Sequence, residues 1–253
     1  MYNKDIKLLI NDRFIPKLYY ASENNIAKEN LYSKFKITDK ILVHKNLYNR
    51  LLLLIPVLNE LKLKLIISDT FRPIEIQKYL HDNWERLTGQ NPKQSLAPIE
   101  DAPHPRCTAI DAVLADEKGE KIIQPSSSIK FNSEERIPDY VFPDTPENKE
   151  KEYNRNLLRM LMLSAGISPI NKEWFHFQLP NTELYPIITV DDVRNLSKKE
   201  TKISRLPNNY YDIPIDYWKN DHKSKKRFWI FDDSYFNGLP IIDFHKLIER
   251  LEN

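Results

Sequence analysis

Apolar residues recur along the chain in two rhythms: steps of three and four residues, and short continuous runs. These rhythms predict helices and strands respectively. Before residue 40 the chain mixes short apolar pairs with polar breaks, which predicts loops and short strands. From about Lys45 to Lys62, Leu47, Leu51, Leu54, Leu58 and Leu61 form one helical stripe, with Pro56 inside it as a kink or break. Lys64–Ser68 reads as a short buried strand that delivers Asp69 and Arg72 at its carboxyl end. Pro73, at a first helical position, opens a second helix with Ile76, Tyr79, Leu80 and Trp84 on one face, ending near Gly89.

Residues 90–103 read as proline-bearing loop. Thr108–Leu114 is the next strand, followed by a turn at 116–119 and a short return strand at 121–123. Residues 124–149 are polar and hold four prolines, which predicts a long loop of functional importance or mobility. Asn154–Ala165 returns to helix, with Leu157, Leu158, Leu161 and Met162 apolar and Gly166 as its cap. Lys172–Leu179 is a further strand. After Pro180 the pattern changes. A helix near 190–199, a proline- and tyrosine-rich link, a basic run at 223–227 and an amphipathic helix over 241–251 follow. The chain therefore divides into residues 1–180 and a carboxy-terminal extension, 181–253.

Composition narrows the class. Of the residues, 41% are hydrophobic and 29% charged, which describes a globular protein and argues against global disorder. A net charge of +2, from 38 basic and 36 acidic residues, points to no nucleic-acid or membrane partner. The single cysteine, Cys107, excludes an intrachain disulfide and fits a reducing compartment. The amino terminus lacks the apolar core of a signal peptide. Cytoplasmic residence is the expectation, with a periplasmic location as the alternative if a leader has been removed.

The candidate chemistry lies in three stretches: Asp69-Thr70-Phe71-Arg72-Pro73, Pro103-His104-Pro105-Arg106-Cys107-Thr108-Ala109-Ile110-Asp111, and Glu173-Trp174-Phe175-His176-Phe177. Two histidines and an aspartate make up a catalytic zinc ligand set, which keeps one position for water. His104 would come from a loop, because prolines flank it, and Asp111 from the strand that follows; His176 closes the set. Glu173 is the natural general base. Regular strand geometry, however, would put Glu173 and His176 on opposite faces, so the strand must begin after Glu173 or bulge there. Arg72 suits an oxyanion stabiliser, and Asp69 would orient it through a charge-assisted bond. Each piece also has a plain structural reading. His104 would be a loop histidine, Asp69–Arg72 an ion pair at a strand end, and Glu173 and His176 polar residues on an exposed strand face. The other histidines, His44, His81, His222 and His245, read as surface or capping residues.

In order and spacing these motifs, together with Asn154-Arg155-Asn156-Leu157-Leu158 and with Tyr20-Ala21 followed by Asn25, resemble the zinc D-alanyl-D-alanine dipeptidases. That family shares a fold with zinc DD-carboxypeptidases and Hedgehog domains. The resemblance spans roughly residues 15–180. It implies an α+β fold with a central antiparallel sheet flanked by helices, and one zinc ion on His104, Asp111 and His176. It also implies Glu173 as base and Arg72 as oxyanion stabiliser; Asp69, Phe71, Ala102 and Trp174 are the candidates for contacting the substrate or supporting these groups.

Four departures bear on specificity. The family's serine two residues before the metal histidine is Ala102, its glycine three residues after that histidine is Cys107, and Phe71 and Phe175 replace Tyr and Trp. Cys107 is either an extra ligand or redox-sensitive group, or a small packing residue. Three functions follow. The first is hydrolysis of D-alanyl-D-alanine or a related small dipeptide. The second is carboxypeptidase or endopeptidase action on peptidoglycan stem peptides. The third is a metal-binding scaffold without turnover, whose tail binds a protein partner or forms a homodimer.

Overall fold

The computed structural model describes residues 5–92, 96–126 and 133–194. The strands are β1 (Ile6–Leu8), β2 (Phe14–Pro16), β3 (Leu42–His44), β4 (Leu63–Asp69), β5 (Ala109–Asp116), β6 (Ser168–Pro169) and β7 (His176–Gln178). A five-stranded sheet has the order β2-β4-β5-β7-β6, and β1 pairs with β3 in a separate two-stranded sheet. The large sheet is antiparallel except at one edge, where β2 runs parallel to β4. At its centre, every residue of β5 but the last is buried. That accounts for its lack of apolar–polar alternation, Asp111 being the one polar residue among the buried seven.

The helices are α1 (Leu31–Phe35), α2 (Lys45–Leu52), α3 (Ile55–Glu60), α4 (Ile74–Thr88), α5 (Pro146–Ser164) and α6 (Val190–Val193). The leucine stripe over 45–62 is two helices, because Pro56 sits in the first turn of α3, where its missing N–H costs nothing. Leu47, Leu51, Leu54 and Leu58 are fully buried on that stripe. Pro73 is the residue before α4 rather than its first helical residue, with an extended ψ of 156°. Gly89 ends the helix in the left-handed region, at φ 71°. Ile76, Leu80 and Trp84 of α4 are wholly buried.

Two expectations require correction. The return strand at 121–123 is reduced to a single bridge between Ala115 and Lys121. The buried side chain of Gln124 takes its place: Leu114 N–H donates to Gln124 Oε1 at 2.8 Å, and Gln124 Nε2 donates to Leu114 O at 2.8 Å. In addition, α5 starts at Pro146, not Asn154. Thr145 caps it by accepting from Asn148 N at 3.2 Å. Residues 146–153 carry no apolar stripe because that part of the helix faces solvent.

The chain also stays packed beyond residue 180. Ile188 and Val193 are buried in one cluster with Ile6, Leu8, Leu42, Phe71 and Cys107. Ile188 N–H donates to Pro105 O at 2.8 Å. Buried contacts therefore continue past the division expected at 180. The expected segments beyond 194, with His222 and His245, lie outside the described residues. Among the described residues no helix is long and apolar enough to cross a membrane.

Candidate metal centre and active site

Three strands carry the site. Asp111 on β5 is the register partner of His176 on β7 and of Asp69 at the end of β4. The second pairing exists because the β4–β5 ladder shifts register between Ile67 and Asp69. His104 enters from the 3-10 turn His104–Arg106, just before β5. The strand expected over 172–179 is ordered only from His176, so Glu173 lies in the turn before it. This meets the geometric objection to placing both residues at one site: Glu173 Oε2 is 3.8 Å from His176 Nδ1.

His104, Asp111 and His176 are all buried, and one candidate ligand atom from each lies within 4.8 Å of the others. His176 Nδ1 is 2.9 Å from Asp111 Oδ1, and His104 Nε2 is 3.5 Å from that same oxygen. The remaining ring nitrogens are engaged elsewhere. His104 Nδ1 lies 2.7 Å from Thr70 O, an atom that can only accept, so Nδ1 carries the proton and Nε2 keeps its lone pair for the site. His176 Nε2 is 3.1 Å from Gln178 Oε1, which leaves Nδ1 facing Asp111. Imidazoles oriented from behind by oxygen acceptors, converging with one carboxylate, fit a divalent metal of the zinc type.

Electrostatics agree with that fit. Burial acts to raise the Asp111 carboxyl, but the neighbouring imidazoles of His104 and His176 hold it well below the ordinary carboxylate range. Burial acts to lower His176, yet the hydrogen bond and charge of Asp111 leave it above the ordinary imidazole value. Arg72 keeps its charge despite burial, because Asp69 opposes the desolvation. Arg72 Nε donates to Asp69 Oδ2 at 2.9 Å, Nη2 donates to the same oxygen, and Nη1 donates to Gln77 Oε1 at 3.0 Å. Its guanidinium carbon also lies 5.0 Å from the centre of the Tyr20 ring.

One cavity of about 240 Å³ gathers Arg72, His104, Asp111, Glu173 and His176, and Asp69, Ala102 and Phe175 line it too. Three residues expected near the substrate or metal lie elsewhere. Phe71 and Cys107 are in the apolar cluster behind the site. Trp174 is buried, and its indole N–H donates to Ser126 O at 2.9 Å. His44 does cap α2, accepting from Asn46 N at 3.2 Å.

Sequence reasoning missed Arg136, which lines the cavity and donates to Glu173 Oε1. It stands in a polar loop without periodicity, 37 residues from its partner, so no local signal marks it. Gln178 was also missed, although its position two residues after His176 on a strand places both on one face.

The family model described as D-ala-D-ala dipeptidase, of the M15 peptidases, matches residues 5–193. The chain is also 29% identical over 184 residues to the D-alanyl-D-alanine dipeptidase of Escherichia coli (strain K12), covering 73% of this chain and 88% of that protein. The chain belongs to the D-Ala-D-Ala dipeptidase family of metallopeptidases.

Proposed function

We propose that the protein is a zinc-dependent dipeptidase that hydrolyses D-alanyl-D-alanine or a closely related small dipeptide. The observation that carries this reading is the convergence of His104 Nε2 and His176 Nδ1 on Asp111 Oδ1, with Glu173 Oε2 3.8 Å from His176 Nδ1. His104, Asp111 and His176 would hold the ion. A zinc ion bound there supplies a Lewis acid and acidifies water towards neutrality.

The chain's own groups account for the rest. Glu173 Oε2 accepts the proton of the attacking water and returns it to the leaving amine. Arg72, held by Asp69 and Gln77, lines the cavity, where its charge would stabilise the oxygen that gains charge in the transition state. Tyr20 and Phe175 line the cavity beside these groups. A cavity of about 240 Å³ favours a short substrate over a long peptide.

The test measures hydrolysis of free D,D- and L,D-dipeptides and of muropeptides, with and without zinc, using Glu173→Ala as control. Zinc-dependent release of D-alanine from the free dipeptide, lost in Glu173→Ala, is the expected result. Turnover of muropeptides without turnover of the dipeptide would replace this reading with a peptidoglycan peptidase.

A further inference from the structure

Resting on the assignment of Glu173 as base, we propose that Arg136 is a positioning residue that sets which oxygen of Glu173 faces the metal-binding group. Arg136 donates through Nη2 to Glu173 Oε1, while Oε2 is turned to His176 Nδ1 at 3.8 Å. The pair is largely shielded, with side chains 12% and 21% exposed, so salt screens it less than a surface pair. A glutamate otherwise has several rotamers open to it, and only some present an oxygen to the metal-binding group.

The guanidinium is itself fixed by the segment it serves. Trp174 N–H donates to Arg136 O at 2.9 Å, and the guanidinium carbon lies 5.8 Å from the centre of the Phe175 ring. Residues 173, 174 and 175 thus each contact Arg136: through a carboxylate, a backbone N–H and a ring. The loop that carries it is tied down from α5. Asn154 Nδ2 donates to Ile123 O at 2.7 Å, and Arg155 Nη1 donates to Tyr140 O at 3.0 Å. The Asn154-Arg155 pair therefore holds Ile123 and Tyr140, which flank Arg136 along the chain.

The experiment compares wild type, Arg136→Ala, Arg136→Lys and Glu173→Gln, with the double variant of Arg136→Ala and Glu173→Gln, each as the full chain with zinc. In Arg136→Ala, kcat should fall on the order of 10- to 100-fold with KM within about threefold, the signature of a misplaced group and not of lost binding. Metal content should not change, and Arg136→Lys should recover part of kcat. In the Glu173→Gln background the same change should cost less than about twofold, because the two act as a unit. A crystal structure of Arg136→Ala should show Glu173 Oε2 turned from His176.

A raised KM at unchanged kcat, full additivity with Glu173→Gln, or an unmoved Glu173 in that crystal would each overturn the proposal. If wild type hydrolyses no dipeptide, the dipeptidase reading fails, and the orientation of Glu173 still decides the role of Arg136. Should Arg136→Ala fail to fold, Arg136→Lys and Arg136→Gln carry the same comparisons.

Discussion

Asp111 and His176 stand directly opposite each other on β5 and β7, with Oδ1 and Nδ1 2.9 Å apart. Register partners on neighbouring strands point to the same face, so the ladder itself brings the carboxylate and imidazole together. A slip of one residue would send His176 to the other side of the sheet. Asp111→Asn keeps the shape but removes the anionic donor. Metal affinity should fall by more than the ~10- to 100-fold typical of changes behind the ligands. Metal analysis after dialysis against a weak chelator measures this, and full retention of metal would remove Asp111 from the ligand set.

The same pair sets a pH dependence. The metal-free His176 holds its proton above the ordinary imidazole value, so a metal must displace that proton. Apparent affinity should therefore weaken as pH falls, starting above the ordinary value of about 6.5. The effect on folding has two sides. The raised His176 stabilises the metal-free fold below its unfolded value, and this is lost as pH rises through the folded value. The depressed Asp111 stabilises it above its own unfolded value, and this is lost as pH falls through the folded one. Together they favour the metal-free protein most between about pH 4 and 6.5. Thermal melts across pH with chelator present, alongside metal titrations, should show stability and metal affinity moving in opposite directions above that window.

Asp69 and Arg72 form a second unit, nearly buried, with side chains 4% and 12% exposed. Arg72→Lys leaves a charge but loses the planar donor set. The rate should drop by about 3 kcal/mol, on the order of 100-fold or more, with metal content unchanged. Asp69→Asn instead leaves a buried guanidinium without its anion. It should cost stability of about 3 kcal/mol as well as rate. Denaturant melts and steady-state kinetics on both variants separate the two effects: an unchanged rate and stability in Asp69→Asn would mean that Asp69 does not hold Arg72.

The legibility of the fold followed the strength of each local signal. The α4 stripe from Ile76 to Trp84 and the apolar run of β5 were readable because burial alone dictates those residue types. The metal-binding group was readable because donor residues of fixed chemistry sat on short motifs. The first turns of α5 were not, since their side chains face water and leave no period; only Thr145 and Pro146 mark the start. The Gln124 bridge to Leu114 replaces a strand with one side chain, which no periodicity records. Arg136 reaches Glu173 through a long polar loop, and tertiary closure of that kind has no local trace. Trp174 was expected near the substrate, but its indole N–H donates to Ser126 O instead.

Cys107 offers a sharper test, because its backbone and its side chain make opposing demands. It takes a left-handed conformation at φ 57°, where a Cβ costs about 1–2 kcal/mol. Its side chain is nevertheless fully buried, packed with Phe71, Leu42 and Val193. Burial pushes the thiol well above its ordinary value, so the folded protein should react with thiol reagents only after denaturation. Cys107→Ala keeps the strained backbone and loses the sulfur contacts, and should destabilise by about 1–2 kcal/mol. Cys107→Gly sheds the strain but loses the buried Cβ contacts as well as those of the sulfur, about 0.8 kcal/mol more, and a further ~0.4–1 kcal/mol to unfolded-chain entropy. The glycine variant should therefore be about as stable as the alanine one, removing the lead that alanine holds in helix interiors. Denaturant melts of the two variants give the order, and metal analysis should find both with wild-type zinc. A loss of zinc in either would return Cys107 to the ligand set, and an alanine variant more stable than the glycine one by about 1.5 kcal/mol or more would show that the left-handed turn carries no strain.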